Sequence, residues 1–179
     1  MTVDHDRFGP RRSDPSHASA ARIYDYVLGG DFHYEVDRKA ADQVIEREPF
    51  APAMARYNRS WMQRVVRYLV TECGVRQFLD IGSGIPTFGN VHEVAQRIAP
   101  AARVVYVDYE RVAVDIGLEI LADNPHATFL HADMRLPDTI MKNPVTTSVL
   151  DFTEPVAMIW ASMLHFIEDR DDPAGILDR

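Results

Sequence analysis

Apolar residues recur at helical spacing along the first part of the chain and then give way to short continuous runs. From Ser16 to Leu28, the residues Ala20, Ile23, Tyr24 and Val27 share one face and Gly29-Gly30 supplies a stop, which predicts a first helix. A second is predicted from Glu35 to Glu48, with Val36, Ala40, Val44 and Ile45 inward and Pro49 ending it. The third and longest runs from Ala53 to Glu72, where Tyr57, Trp61, Val65, Tyr68 and Leu69 form the apolar stripe and Gly74 the cap. Beyond Gly74 the period changes. "QFLDI", "ARVVYVD", "ATFLHAD" and "PVAMIW" are short, β-branched or aromatic runs of the kind shown by strands buried on both faces. Between the first two, "NVHEVAQRIA" sets Val91, Val94, Ala95 and Ile98 on one side, with Asn90 as N-cap and Glu93 three residues on. A further helix is predicted from Arg111 to Ala122 on Val112, Ile116 and Ile120, and an Asp-Asn-Pro turn leads into the third strand. This alternation implies an α/β fold: a parallel sheet with right-handed crossovers and helices on both faces, preceded by three helices.

Composition sets the scale. At 179 residues and 46% hydrophobic content the chain suits one domain with a sizeable core. Residues 1–15, rich in proline and alternating charge, read as a disordered tail; the domain then spans 16–179, helical over 16–74 and Rossmann-like over 75–179. A net charge of -8 disfavours nucleic acid or an anionic membrane as partner, because each rewards a basic face. No apolar run reaches the length of a membrane span and the N-terminus lacks the hydrophobic region of a secretory signal, so a cytoplasmic protein is expected. Cys73 is the single cysteine, which rules out an intramolecular disulfide or a cysteine zinc cluster, and no histidine pair has metal-ligand spacing; no metal is expected.

The chemistry concentrates in "FLDIGSGIP", Phe78 to Pro86. In a doubly wound sheet the loop after the first strand is the usual ligand cradle, and Gly82 and Gly84 sit in it. The dinucleotide fingerprint asks for a third glycine where this chain has Thr87, and Ile85-Pro86 delays the helix start that a pyrophosphate would use. A strand-to-helix turn with no ligand remains an alternative for a lone Gly-x-Gly. Two further carboxylates favour a ligand. Asp108 ends the second strand, where a carboxylate can accept both hydroxyl hydrogens of a ribose, and Asp133 follows the third. There a carboxylate can accept from an adenine amine while the Met134 N–H donates to a ring nitrogen. Each aspartate alone also reads as a solvated strand end; Asp80, Asp108 and Asp133 at successive strand ends point to one site.

These segments resemble the motifs of S-adenosylmethionine (SAM)-dependent methyltransferases with the Rossmann-like fold: "FLDIGSG" their first, "VYVDYE" their second, "HADMR" their third. More narrowly, "ARIYDYVLGGDFHYEVDRKAAD", "NRSWMQRVVRYL", "VRQFLDIGSGIPTFGNVHEVAQ" and "HFIEDRDDPAGI" resemble an actinobacterial family of such enzymes formerly known as DUF574, from Ser16 to Arg179. The resemblance implies SAM as cofactor and an unknown, small-molecule acceptor. It places Asp80, Gly82 and Gly84 at the cofactor's amino-acid end, Asp108 at the ribose, and Asp133 with Met134 at the adenine. It matches Tyr24, Asp25, Gly29 and Gly30 to a block that covers the methyl-donor site and Asn58-Arg59 to another, with Arg59 as a cofactor-binding residue, although Tyr24 also reads as core, Gly29-Gly30 as a helix stop and Arg59 as a solvated charge. His165 in "ASMLHFIED" matches a leucine-histidine segment of many small-molecule methyltransferases; it reads either as a base for the acceptor or as a residue bonded into the cleft wall. The resemblance implies a Rossmann-like sheet of order 3-2-1-4, and members of the family continue past the equivalent of Arg179, so the sheet is expected to be cut short after its fourth strand, leaving "VAMIW" as an apolar edge that self-associates, takes a partner that completes the sheet, or leaves the chain marginally stable. The competing readings are a catalytically inactive SAM-binding or interaction module and an NAD(P)-dependent oxidoreductase.

Overall fold

The computed structural model describes residues 15–87 and 89–178; the expected disordered tail, apart from Pro15, lies outside them. Helix α1 (Ala20–Leu28) begins later than its apolar spacing predicts, because the Ser19 hydroxyl accepts the Arg22 N–H at 3.3 Å and so caps the helix there. It ends where Gly29 turns left-handed, followed by α2 (Glu35–Arg47) and α3 (Ala51–Thr71), whose first turn contains Pro52.

The buried faces of these helices differ from those expected. Helix α3 buries Ala55, Met62, Val66 and Val70, while Tyr57, Trp61 and Tyr68 are 74%, 51% and 59% exposed. The helix carries two apolar arcs, and the one with smaller, aliphatic side chains meets α4 and the sheet, where axes must approach closely. Helix α2 buries Asp37 and Ala41 and leaves Val44 exposed; α1 buries Ala21, Arg22 and Asp25. Charge pairing explains this. Arg22 Nε donates to Asp37 Oδ2 at 2.7 Å, and the same carboxylate accepts the N–H groups of Ser19 at 2.9 Å and Tyr34 at 2.8 Å. Hydropathy cannot reveal a buried carboxylate that takes three hydrogen bonds from within the fold.

Four parallel strands follow in the order β3-β2-β1-β4, as expected: β1 (Gln77–Ile81), β2 (Arg103–Asp108), β3 (Ala127–His131) and β4 (Ala157–Ile159). Side chains alternate between two cores. Phe78, Val104, Tyr106, Phe129 and Ile159 pack with Met62 and Val66 of α3 and with Val91 and Val94 of α4 (Val91–Ile98). Leu79, Val105, Val107 and Leu130 pack on the opposite face with Ile140 of α6 (Pro137–Met141) and with Leu150, which ends α7 (Pro144–Val149). Helix α5 (Arg111–Ile120) links β2 to β3, and α8 (Pro173–Leu177) lies near the C-terminal end of the described residues. The apolar period does not signal α6 and α7, which span 5 and 6 residues and start on prolines. Asn90 stands at the N-cap of α4 as expected, but its Oδ1 accepts from Arg59, and Glu93 reaches back to the Gly89 N–H at 3.2 Å instead. Strand β4 is shorter than "PVAMIW", pairs only with β1 among the described residues, and leaves Met158 52% exposed. Among the described residues no helix is long and apolar enough to cross a membrane.

The Arg22–Asp37 pair is nearly solvent-free on both sides. Burial alone pushes Asp37 up, but the guanidinium and the two N–H groups outweigh it and hold the carboxyl below its usual range. Asp37→Ala strands a buried guanidinium and should cost about 3–5 kcal/mol in urea denaturation, whereas the double change Arg22→Met, Asp37→Leu should recover most of it. Because the folded carboxyl titrates below the unfolded one, this contribution is present at neutral pH and is lost as pH falls below about 4. A loss under about 1 kcal/mol for Asp37→Ala would show that the pair does not hold the helical segment together.

Candidate cofactor-binding site

Parallel pairing of β1 with β2, Ile81 opposite Val107, ends both strands at the same edge of the sheet. The loop after β1 is then stitched to the end of β2. The N–H groups of Gly82 and Ser83 donate to the Val107 carbonyl at 2.7 and 3.2 Å, and Gly84 N–H donates to Asp108 Oδ2 at 2.9 Å. Gly82 and Gly84 have φ of 66° and 64°, a conformation side chains disfavour. At Gly82 space is lacking as well: an added Cβ would lie 2.3–2.4 Å from three atoms of the Met163 side chain, from the loop after β4. At Gly84 nothing stands nearer than Ala21 Cβ at 4.0 Å. Thr87, where a dinucleotide site would have glycine, donates its hydroxyl to Asp25 Oδ1 at 3.1 Å and so ties the loop to α1. Asp25 also accepts the Phe32 N–H at 2.7 Å, in space left by the missing side chain of Gly30.

A cavity of about 310 Å³ opens over this edge. Its floor is Asp80, Gly82, Ser83, Gly84 and Asp108; Asp133, Met134 and Arg135 form one wall, and Ala161, Met163, Phe166 and Ile167 another. Tyr24 of α1 and Asn58, Arg59 and Met62 of α3 line the remaining side. The structure thus gathers Asp80, Gly82, Gly84, Asp108, Asp133, Met134, Tyr24 and Arg59. It does not bring Gly29, Gly30 or His165 to the cavity lining: Gly29 caps α1, Gly30 accommodates Asp25, and His165 is exposed with its ring 4.1 Å from that of Phe166. His92 lies below the sheet's edge, its Nδ1 bonded to the Tyr106 hydroxyl at 2.7 Å, and His131 contacts the Tyr109 carbonyl at 2.9 Å.

The charges are unevenly satisfied. Asp80 is 6% exposed, and no hydrogen bond from the described residues reaches its carboxylate. Burial pushes its carboxyl up to about 7, with Arg59 pulling it down and Asp108 adding to the rise. Arg59 donates from Nη1 to Asn90 Oδ1 at 2.9 Å and lies over the Tyr24 ring at 5.8 Å, while its Nε is buried without a hydrogen-bond partner among the described residues. Both oxygens of Asp108 accept backbone N–H groups, of Gly84 and Glu110, and keep lone pairs for a further donor; burial raises its carboxyl while these bonds oppose the rise. Asp133 is gripped by Arg135, from Nε at 3.0 Å and Nη2 at 2.6 Å, which holds it low. Glu110 accepts from the Ser19 hydroxyl and from the Ala20 N–H at 3.1 Å, fastening α1 beside the cavity. Sequence reasoning missed Arg135, Glu110 and Met163. Arg135 stands two residues after Asp133, a signal that could have been read; nothing local marks Met163.

A 3-2-1-4 parallel sheet with a glycine loop and buried acidic groups converging on its carboxyl edge defines a Rossmann-like, nucleoside-cofactor class of protein. The chain belongs to the S-adenosyl methyltransferase family, whose model it matches over residues 7–179. It is similar to a DUF574 family protein of Streptomyces avermitilis, with 43% identity and a TM-score of 0.88 over 93% of this chain and 64% of that one. It is also similar to a candidate methyltransferase of Thermobifida fusca, with 39% identity and a TM-score of 0.89 over 96% of this chain and 65% of that one. The chain therefore spans a little under two thirds of these relatives' length. No curated protein matches the sequence. The resemblance read from the motifs, and the cofactor it implies, agree with the family.

Between about pH 4 and 7 the folded protein keeps a proton on Asp80 that the unfolded chain has released, so stability should fall as pH rises through that window. Asp80→Asn should flatten that slope and stabilise the protein at pH 8 by up to about 4 kcal/mol. Thermal unfolding of both proteins at pH 5 and pH 8 decides it; parallel pH profiles would mean that Asp80 is solvated.

Proposed function

We propose that the cavity binds SAM and that the protein transfers its methyl group to a small-molecule acceptor. One observation carries the reading. Beside the glycine loop the Asp80 carboxylate lines the cavity and receives no hydrogen bond from the described residues, and Arg59 lines the cavity with it. The α-ammonium of a methionyl group would pair with Asp80 and so remove the penalty of leaving it without a donor, while the α-carboxylate would meet the positive charge of Arg59. Asp108 keeps acceptor sites for ribose hydroxyls at the end of β2, and Asp133 with the Met134 backbone would meet the adenine.

The bound cofactor supplies a methyl group activated by its sulfonium. The protein's work is then alignment and exclusion of water, with Tyr24 and Met62 closing the site from the helical segment. Such a transfer requires no dedicated base, and the proposal gives His165 no part in it. The single cysteine and acidic composition fit a reducing, cytoplasmic setting.

Calorimetry with SAM, S-adenosylhomocysteine (SAH), 5′-methylthioadenosine and NAD tests the reading. Asp108→Ala should weaken SAH by about 2 kcal/mol, and Asp123→Ala, away from the cavity, should not. Arg59→Gln should weaken SAH roughly 10- to 100-fold yet barely affect methylthioadenosine, which lacks the amino-acid end. Because the ligand's ammonium needs Asp80 ionised, wild-type affinity for SAH should rise from pH 6 to pH 8, and that rise should vanish in Asp80→Asn. Tight NAD binding without binding of the sulfonium compound or its product would overturn the proposal.

We also propose that in the 1–179 chain the β4 edge, which pairs only with β1 among the described residues, associates with a second copy, since it carries no lysine or internal proline and Met158 is half-exposed on it. Light scattering over a dilution series should show association that Met158→Lys abolishes; a strict monomer at every concentration sinks this.

A further inference from the structure

We infer that the Met163 thioether borders the sulfonium end of the cofactor and favours the charged methyl donor over its neutral product. The inference rests on the SAM reading above.

Met163 lies flat on Gly82: the position of an added Cβ would be 2.3 Å from its Cε and 2.4 Å from its Cγ and Sδ. The backbone that delivers it is unusual. Ser162, just before it, adopts a left-handed φ of 55°, which non-glycine residues rarely take and which persists where the surrounding structure holds it. The Met163 carbonyl then accepts the Phe166 N–H at 2.9 Å, closing a tight turn that keeps the side chain pointed back at β1.

Position gives the contact its meaning. Gly82 lies two residues after Asp80, at the amino-acid end, and two before Gly84, whose N–H holds the Asp108 carboxylate at the ribose end. In SAM the atom that joins the amino-acid chain to the ribose is the sulfonium sulfur. A ligand spanning Asp80 and Asp108 therefore brings that sulfur past Gly82, and the side chain covering Gly82 is Met163. The thioether is polarizable and offers lone pairs to the electron-poor C–H groups flanking a sulfonium. Unlike a carboxylate it has no charge to desolvate. In SAH the sulfur is neutral and this attraction disappears, while packing persists.

Met163→Leu keeps a side chain of similar size on Gly82 and removes the sulfur. Calorimetry should show the ratio of SAM to SAH affinity falling roughly three- to tenfold in Met163→Leu. A ratio unchanged within about twofold would reduce Met163 to inert packing and overturn the inference. A second readout does not depend on the variant. Under dilute peroxide, followed by mass spectrometry, SAM should slow oxidation of Met163 while Met54 and Met158, 66% and 52% exposed, oxidise at the same rate with or without it. Equal Met163 oxidation with and without saturating SAM would also overturn it. If the wild-type protein binds neither SAM nor SAH, the cofactor reading itself fails; if it binds both and only the ratio and footprint stay flat, the fault lies with Met163 alone.

Discussion

The hydrogen bonds that fasten the glycine loop to the end of β2 are the constraint on which the site depends. Two N–H groups share the Val107 carbonyl and a third engages Asp108, so the loop takes its course from the neighbouring strand. Once that course is set, Gly82 and Gly84 must be left-handed, Asp80 is held beneath the loop inside the sheet, and Asp108 faces the cavity with two of its lone pairs already used. A carboxylate at 6% exposure that receives no hydrogen bond from the described residues is unfavourable, and the surrounding core must offset it. Phe78, Val104 and Tyr106 on one face and Leu79, Val105 and Val107 on the other supply that support.

The sheet was legible in the sequence because a strand buried on both faces needs a continuous apolar run, and few other structures do. The alternation of strand and helix made its strands parallel, and the order came with the Rossmann-like resemblance. The helical segment was legible only as helices. Which face each turns inward depends on pairing between distant residues: Arg22 with Asp37, Asp25 with Thr87, Ser19 with Glu110. A hydropathy pattern assigns such residues to solvent, and it assigned Tyr57 and Trp61 to the interior for the converse reason. Helices α6 and α7 escaped because one or two turns show too little of a period to be recognised.

The site divides along the same line. Asp80, Asp108 and Asp133 could be placed because sheet geometry fixes where strand ends converge. Residues delivered by loops could not be placed, since a loop's path is set by contacts far away in sequence. His165 and Met163 stand two positions apart in one short turn, yet the turn sends the methionine into the cavity and the histidine to the surface. Arg59 lies between: a charge on a predicted helix, whose role emerges only when Asn90 and Tyr24 are seen to hold it against the cavity.

The contact between Gly82 and Met163 also bears on how such a chain can diverge. With atoms of one residue occupying the volume where the other's Cβ would stand, the two positions cannot drift independently. A lineage that acquires even an alanine at 82 must hold it at φ 66° and turn or shorten the side chain at 163. Either change at 163 reshapes the cavity wall that Met163 forms. The pair should therefore behave as one inherited character, with joint replacement marking branches whose ligand or reaction has changed.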